Sequence, residues 1–266
     1  MLFRSPIDQA DGLNHLSDAE KKVWADAVTF YANGPGKMDI LFDTAAVDIT
    51  NALRVPPQAP ASALKIDPAL RATLERAAPI YRRLWWPRQQ KANNDRVREL
   101  TRQLEEHGDQ IRAYLTRVYQ QEWPAGGHMV NVSGYANWAG AYSTSRGNLI
   151  VIASLDPQVN GYLALESVFH EASHQWDDAM IARLLRLSKE NQTPPLRNGL
   201  THAIIWYTVN EAVKSRVPSH RGWAETLGMW NQNPNRAFKA GLDTYWKPYL
   251  DGKSTLDEAL IGLLKS

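Results

Sequence analysis

There is no cysteine among the 266 residues of this chain. Disulfides, thiolate nucleophiles and thiolate-held zinc are therefore excluded, and any metal site must be built from His and carboxylates. Net charge is also scant. Thirty Lys and Arg against 28 Asp and Glu leave +2, too little to point to nucleic acid or a membrane surface. No run reaches the roughly 18 apolar residues that a helical membrane span requires. The first residues, Met1-Leu-Phe-Arg-Ser-Pro-Ile-Asp8, contain no apolar stretch of the signal-peptide kind. The expectation is a soluble chain, cytoplasmic or exported after removal of a presequence. Hydrophobic residues at 44% and charged residues at 22% are those of a globular protein able to bury a sizeable core, as one large domain or two small ones. No internal repeat or low-complexity segment interrupts it.

The first half reads as helical. Ser17-Asp-Ala-Glu20 has the form of a capping box, opening a helix whose apolar face is Trp24, Val28 and Tyr31, stopped at Asn33-Gly-Pro-Gly36. Asp67-Pro68 starts a second helix that Pro79 interrupts and Trp85-Trp86-Pro87 ends. Residues 95–121 carry one stripe at helical spacing, Val97, Leu100, Leu104, Ile111, Leu115 and Val118. The interleaved charges, with His107 among them, read as a solvated face. After Trp123-Pro-Ala-Gly-Gly127 the texture changes. Met129–Val132, Ala139–Ser143 and Leu149–Ala153 read as strands, with a hairpin turn at Arg146-Gly-Asn148. Helices are expected again from Tyr162 through Leu187, then over Leu200–Ser215, Pro218–Trp230, Asn235–Tyr249 and Ser254–Leu264.

The segment beginning at Tyr162 carries the one motif with a reaction mechanism attached, His170-Glu171-Ala-Ser-His174. Residues four apart on a helix share a face, about 6 Å apart at Cβ. His170 and His174 can thus hold two corners of a tetrahedral zinc ion. Glu171 lies beside the first ligand, where it can take a proton from a water that the metal activates. The plainer alternative is a core helix with two packed His. It would leave both imidazoles and the carboxylate in need of other partners.

A third protein ligand is required, with the fourth position left open. A third His six residues after His174 is excluded, because Met180 stands there. Glu211 is preferred. It lies in a helix among Ile204, Ile205, Trp206, Val209 and Val213, where an unpaired carboxylate would be costly. His202 competes with it. The two are about 13.5 Å apart along a helix and about half a turn round it, so they do not bind one metal together. His202 could instead donate a hydrogen bond at the cleft or simply be a buried, satisfied His. Tyr207, one turn before Glu211, could steady an oxyanion or simply pack. Glu166, Asp177 and Asp178 are near enough to receive a ligand's second ring N–H, although each is expected to face solvent. Tyr142 and Trp138 could line a substrate groove or sit in the core. His15, His128 and His220 are assigned no role.

His170-Glu171-Ala-Ser-His174-Gln175-Trp176 resembles the motif of the gluzincin metallopeptidases, in particular their zinc aminopeptidase branch. Asn210-Glu211-Ala212 resembles the stretch around that family's third ligand, and Gly140-Ala141 resembles the start of its substrate-binding edge strand. The resemblance implies one Zn²⁺ held by His170, His174 and Glu211, with Glu171 as general base. Two departures stand beside it. The spacing from His174 to Glu211 is longer than in the aminopeptidases, and Gly140-Ala-Tyr-Ser-Thr144 has no carboxylate to bind a free N-terminus. An endopeptidase-like cleft is then at least as expected as aminopeptidase trimming. The sequence thus leads to an α+β, mostly helical fold. It would have a zincin-like core, a small antiparallel or mixed sheet before the His-Glu-x-x-His helix, a helical region over 1–123 packed on the core, and a catalytic region over 124–266. Its expected activity is zinc-dependent hydrolysis of peptide bonds in a peptide or protein substrate, with Glu171, Tyr207 and His202 as the catalytic candidates. Hydrolysis of a non-peptide amide, or binding without catalysis, are the alternatives.

Overall fold

The computed structural model describes residues 12–40, 43–53, 63–137, 139–144 and 149–266. Trp138 and the expected turn at Arg146-Gly-Asn148 lie outside them. The fold is α+β and mostly helical, with a small three-stranded mixed sheet. The chain divides into two compact units. One takes in the described residues of Met1–Arg96 and Val132–Asp156, and the other Val97–Asn131 and Pro157–Ser266. The boundary expected from the sequence lies at 123–124.

In the first unit, α1 (Asp18–Asn33) begins with the capping box as read: the Ser17 hydroxyl accepts from Glu20 N–H while the Glu20 carboxylate accepts from Ser17 N–H. Its buried face is rotated from the expected stripe. Val28 and Tyr31 are exposed, whereas Val23 and Trp24 pack with Leu16, Ile80 and Trp85. A stripe drawn from the largest apolar residues missed Ala27, which is buried because a small side chain lets a neighbouring helix approach. Next come α2 (Thr44–Ala52) and α3 (Pro68–Leu84), the latter capped by Asp67, which accepts from Ala69 and Leu70 N–H. The helix α4 (Trp86–Tyr119) follows α3 with the single residue Trp85 between them. Pro87 opens this helix rather than closing the previous one, as expected where the missing N–H would be unpaired in any case. Val97, taken from sequence as part of the α4 stripe, is exposed, while Leu100, Ile111, Leu115 and Val118 are buried.

Strands β1 (Met129–Ser133), β2 (Ala141–Thr144) and β3 (Leu149–Ala153) are ordered β1-β3-β2. β2 and β3 pair antiparallel, with Ala141 opposite Ile152 and Thr144 opposite Leu149. The run Leu149-Ile-Val-Ile-Ala153 is buried throughout, which is why it lacks the alternation of a half-exposed strand.

The second unit is helical. After α5 (Tyr162–Ser173) come a 3₁₀ turn at His174–Trp176, then α6 (Asp177–Asn191), α7 (Leu200–Lys214) and short α8 (Trp223–Thr226). The chain continues through α9 (Asn235–Gly241), a π-helical turn at Leu242–Trp246, α10 (Lys247–Leu250) and α11 (Leu256–Lys265). The single helix expected over Pro218–Trp230 is broken at Gly222 and Gly228, the latter at φ 64°. One core runs through this unit, from Ile111 and Leu115 of α4 to Leu165 and Phe169 of α5, Ile204 and Val209 of α7, and Leu260 and Leu263 of α11. α5 is buried from Ala164 to His170, as a helix apolar all round should be.

Because Ile204 is wholly buried at the centre of this core, Ile204→Ala should lower the unfolding free energy by about 2–5 kcal/mol in urea denaturation. A loss below about 1 kcal/mol would show that α7 is not the packed centre of the unit.

Candidate metal centre

Two helices bring the candidate ligands together. His170 lies in the last turn of α5, His174 begins the 3₁₀ turn that continues it, and His202 lies in the first turn of α7. Their ring centroids are 5.1 Å apart for His170–His174, 4.9 Å for His170–His202 and 5.2 Å for His174–His202. One nitrogen from each ring falls within 4.8 Å of the others, the one such group of three among the described residues. His170 is buried while His174 and His202 are half-buried, so the group has a closed floor and a partly open rim. His170 Nε2 and His202 Nε2 are 2.9 Å apart. One must carry a proton that the other accepts. Two nitrogens on a tetrahedral zinc at 2.0–2.1 Å are about 3.3 Å apart. An ion in place of that shared proton therefore needs an opening of only about 0.4 Å. The donors fit a divalent ion of the kind that imidazole favours.

The protonation of two of the three rings supports this. Burial, with the neighbouring His202 and His174, holds His170 well below the ordinary imidazole value. Burial, reinforced by His174, pushes His202 down to about 4. Both offer lone pairs at neutral pH. Burial would also lower His174, but its hydrogen bond to Asp177 and the charges of Glu171 and Asp177 raise it. That bond runs from His174 Nδ1 to Asp177 Oδ2 at 2.7 Å, leaving Nε2 to face an ion. Asp177 is the first residue of α6, where a carboxylate also interacts favourably with the helix N-terminus. Glu171 is half-buried next to His170 and close enough for its charge to act on His174.

The other sequence candidates lie elsewhere on α7. Glu211 stands 4.0 Å from Lys214 and 3.9 Å from Lys247, outside the three-His group. The Tyr207 hydroxyl donates to Asp243 Oδ1 at 2.9 Å, and Lys239 lies over the Tyr207 ring. Burial, then the hydrogen bond to Asp243, raises the Tyr207 pKa. Nine residues along the helix have turned Glu211 away from His202, as the half-turn separation requires. Tyr142 is buried in the first unit, against Leu149 and Val151.

Of the three acids read as solvent-facing, only Asp178 is exposed. Glu166, one turn before His170, is buried. It accepts from His220 Nε2 at 2.7 Å and from Trp223 N–H at 3.1 Å. His220, which has no role in the sequence reading, thus anchors the segment before α8 onto α5. A buried carboxylate needs such donors, and nothing in the local spacing reveals a partner 54 residues away. His107, read as surface, is only 11% exposed at its side chain and packs on Tyr162.

In the metal-free chain, unfolding should expose His170 and His202 to protonation below pH about 6.5, while the folded chain keeps His202 neutral to about 4. The unfolded state then binds more protons, so stability should fall as pH drops from 6.5 to 4. His174, raised when folded, acts in the opposite sense: its contribution is present below the unfolded value and is lost as pH rises through the folded one. Denaturation of chelator-treated protein at pH 4.5 and 6.5 tests this, and equal stability at the two values would contradict it. No family model, curated protein or solved structure matches this chain.

Proposed function

We propose that this protein is a zinc-dependent metallopeptidase that uses His170, His174 and His202 to hold one ion and Glu171 as general base. The observation that carries this reading is the convergence of three imidazoles on one point, two of them held neutral, with a carboxylate beside them. A zinc ion held there supplies a bound water of pKa about 7 and polarises the substrate carbonyl. Asp177, bonded to His174 Nδ1, would hold the neutral ring in the form whose Nε2 meets the ion. Glu171 accepts the proton of the attacking water and returns it to the nitrogen of the leaving amine. The Tyr207 hydroxyl, bonded to Asp243, is not assigned to the oxyanion.

The gluzincin likeness supports this proposal through His170, Glu171, His174, Gln175 and Trp176. Taking His202 in place of Glu211 makes the ligand set all-imidazole, which departs from that family. Lack of a carboxylate in Gly140–Thr144 favours cleavage within chains over removal of single N-terminal residues.

Zinc-loaded wild type should cleave members of a mixed peptide library followed by mass spectrometry, and Glu171→Gln should bind zinc equally while cleaving roughly 10²–10⁴-fold more slowly. Equal rates in the two proteins would overturn the mechanism. Cleavage of N-acylated small molecules but of no peptide would instead select the non-peptide amide reading.

A further inference from the structure

A metal-bound imidazole is usually held in place by a hydrogen bond from its second nitrogen. His174 has that support from Asp177. His202 and His170 share a different one. Trp206 follows His202 by one turn of α7, so its side chain emerges on the same face. Its indole lies 4.3 Å from the His202 ring at an interplanar angle of 34°, and 6.0 Å from the His170 ring at 27°. The indole plane thus lies between those of two candidate ligands from two helices, whose own rings are 57° apart, with its closer contact on His202. Trp206 is half-buried, and Trp230 packs on it nearly at right angles, 84° at 6.2 Å. Trp230 is itself anchored against the core of the unit, so the indole is braced.

Resting on the reading of the three His as a metal centre, we propose that Trp206 is a positioning residue whose indole fixes the tilt of the His202 and His170 rings for coordination. Contact with the indole face restricts ring rotation without using a ring nitrogen. A bound cation draws electron density from an imidazole, and an electron-poor ring is attracted to the negative face of an indole. The same contact therefore strengthens when the ion arrives. Trp206 would stand to His202 as Asp177 stands to His174, with a π face in place of a carboxylate.

The test uses the full chain, stripped of metal and titrated with Co²⁺ alone, whose visible absorption reports coordination geometry. Trp206→Phe, which keeps an aromatic face, should retain the wild-type spectrum and bind cobalt within about threefold of wild type. Trp206→Leu, which fills space without a π face, should bind roughly 10–100-fold more weakly with a shifted spectrum, at an unfolding midpoint close to that of the Phe variant. Wild-type affinity and spectrum in the Leu variant would overturn the inference while leaving the metal centre intact. Should Trp206→Leu fail to fold, Trp230→Ala removes the brace without touching a ligand. A shifted cobalt spectrum in that variant supports the inference and an unchanged one overturns it. Wild type that takes up no cobalt would overturn the three-His reading itself, and this inference with it.

Discussion

The packing of α5 against α7 is the constraint on which the candidate centre depends. Ala164, Leu165 and Val168 of α5 and Ala203, Ile204 and Ile205 of α7 are all buried, and the two helices carry His170 and His202 to the edge of that contact. Neither helix could place three imidazoles alone. The apolar core fixes the helices, and the helices then impose a 2.9 Å approach of two ring nitrogens. That approach is unfavourable for two charged rings, and burial further favours the neutral forms. Two rings held uncharged in this way, His170 and His202, keep lone pairs for a cation.

Around this contact the supports differ for each ring. Asp177 orients His174 by a charged hydrogen bond, and it can do so because the 3₁₀ turn ends where α6 begins, putting a carboxylate three residues from the imidazole. Glu166 fastens α5 to the segment at His220 and Trp223 from the side of the preceding turn. Trp206 lies over the rings that α5 and α7 contribute. On the far side of α7, Glu211 and Tyr207 engage Lys214, Lys247 and Asp243.

Much of this was legible in the sequence because it is local. The capping box at Ser17, the Asp67 cap, the α5 start at Tyr162 and the mostly helical α+β class all follow from short-range spacing. So does the shared face of His170 and His174, and so does the rule that His202 and Glu211 could not serve together. The choice between those two was not local. The sequence preference for Glu211 rested on the cost of a buried carboxylate. Lys247, which partly meets that cost, is 36 residues away and invisible to periodicity. Glu166–His220 escaped for the same reason. Trp206 was within reach, since its spacing from His202 equals that between His170 and His174, but an indole among apolar neighbours reads as core.

The central claim is that the ion is held by three imidazoles, the third from His202. X-ray absorption at the zinc edge of the zinc-loaded protein tests it most directly. The account predicts three imidazole nitrogens at about 2.0–2.1 Å, falling to two in His202→Ala and unchanged in Glu211→Ala. Two imidazoles with a carboxylate oxygen in the wild type, that oxygen disappearing in Glu211→Ala, would contradict it.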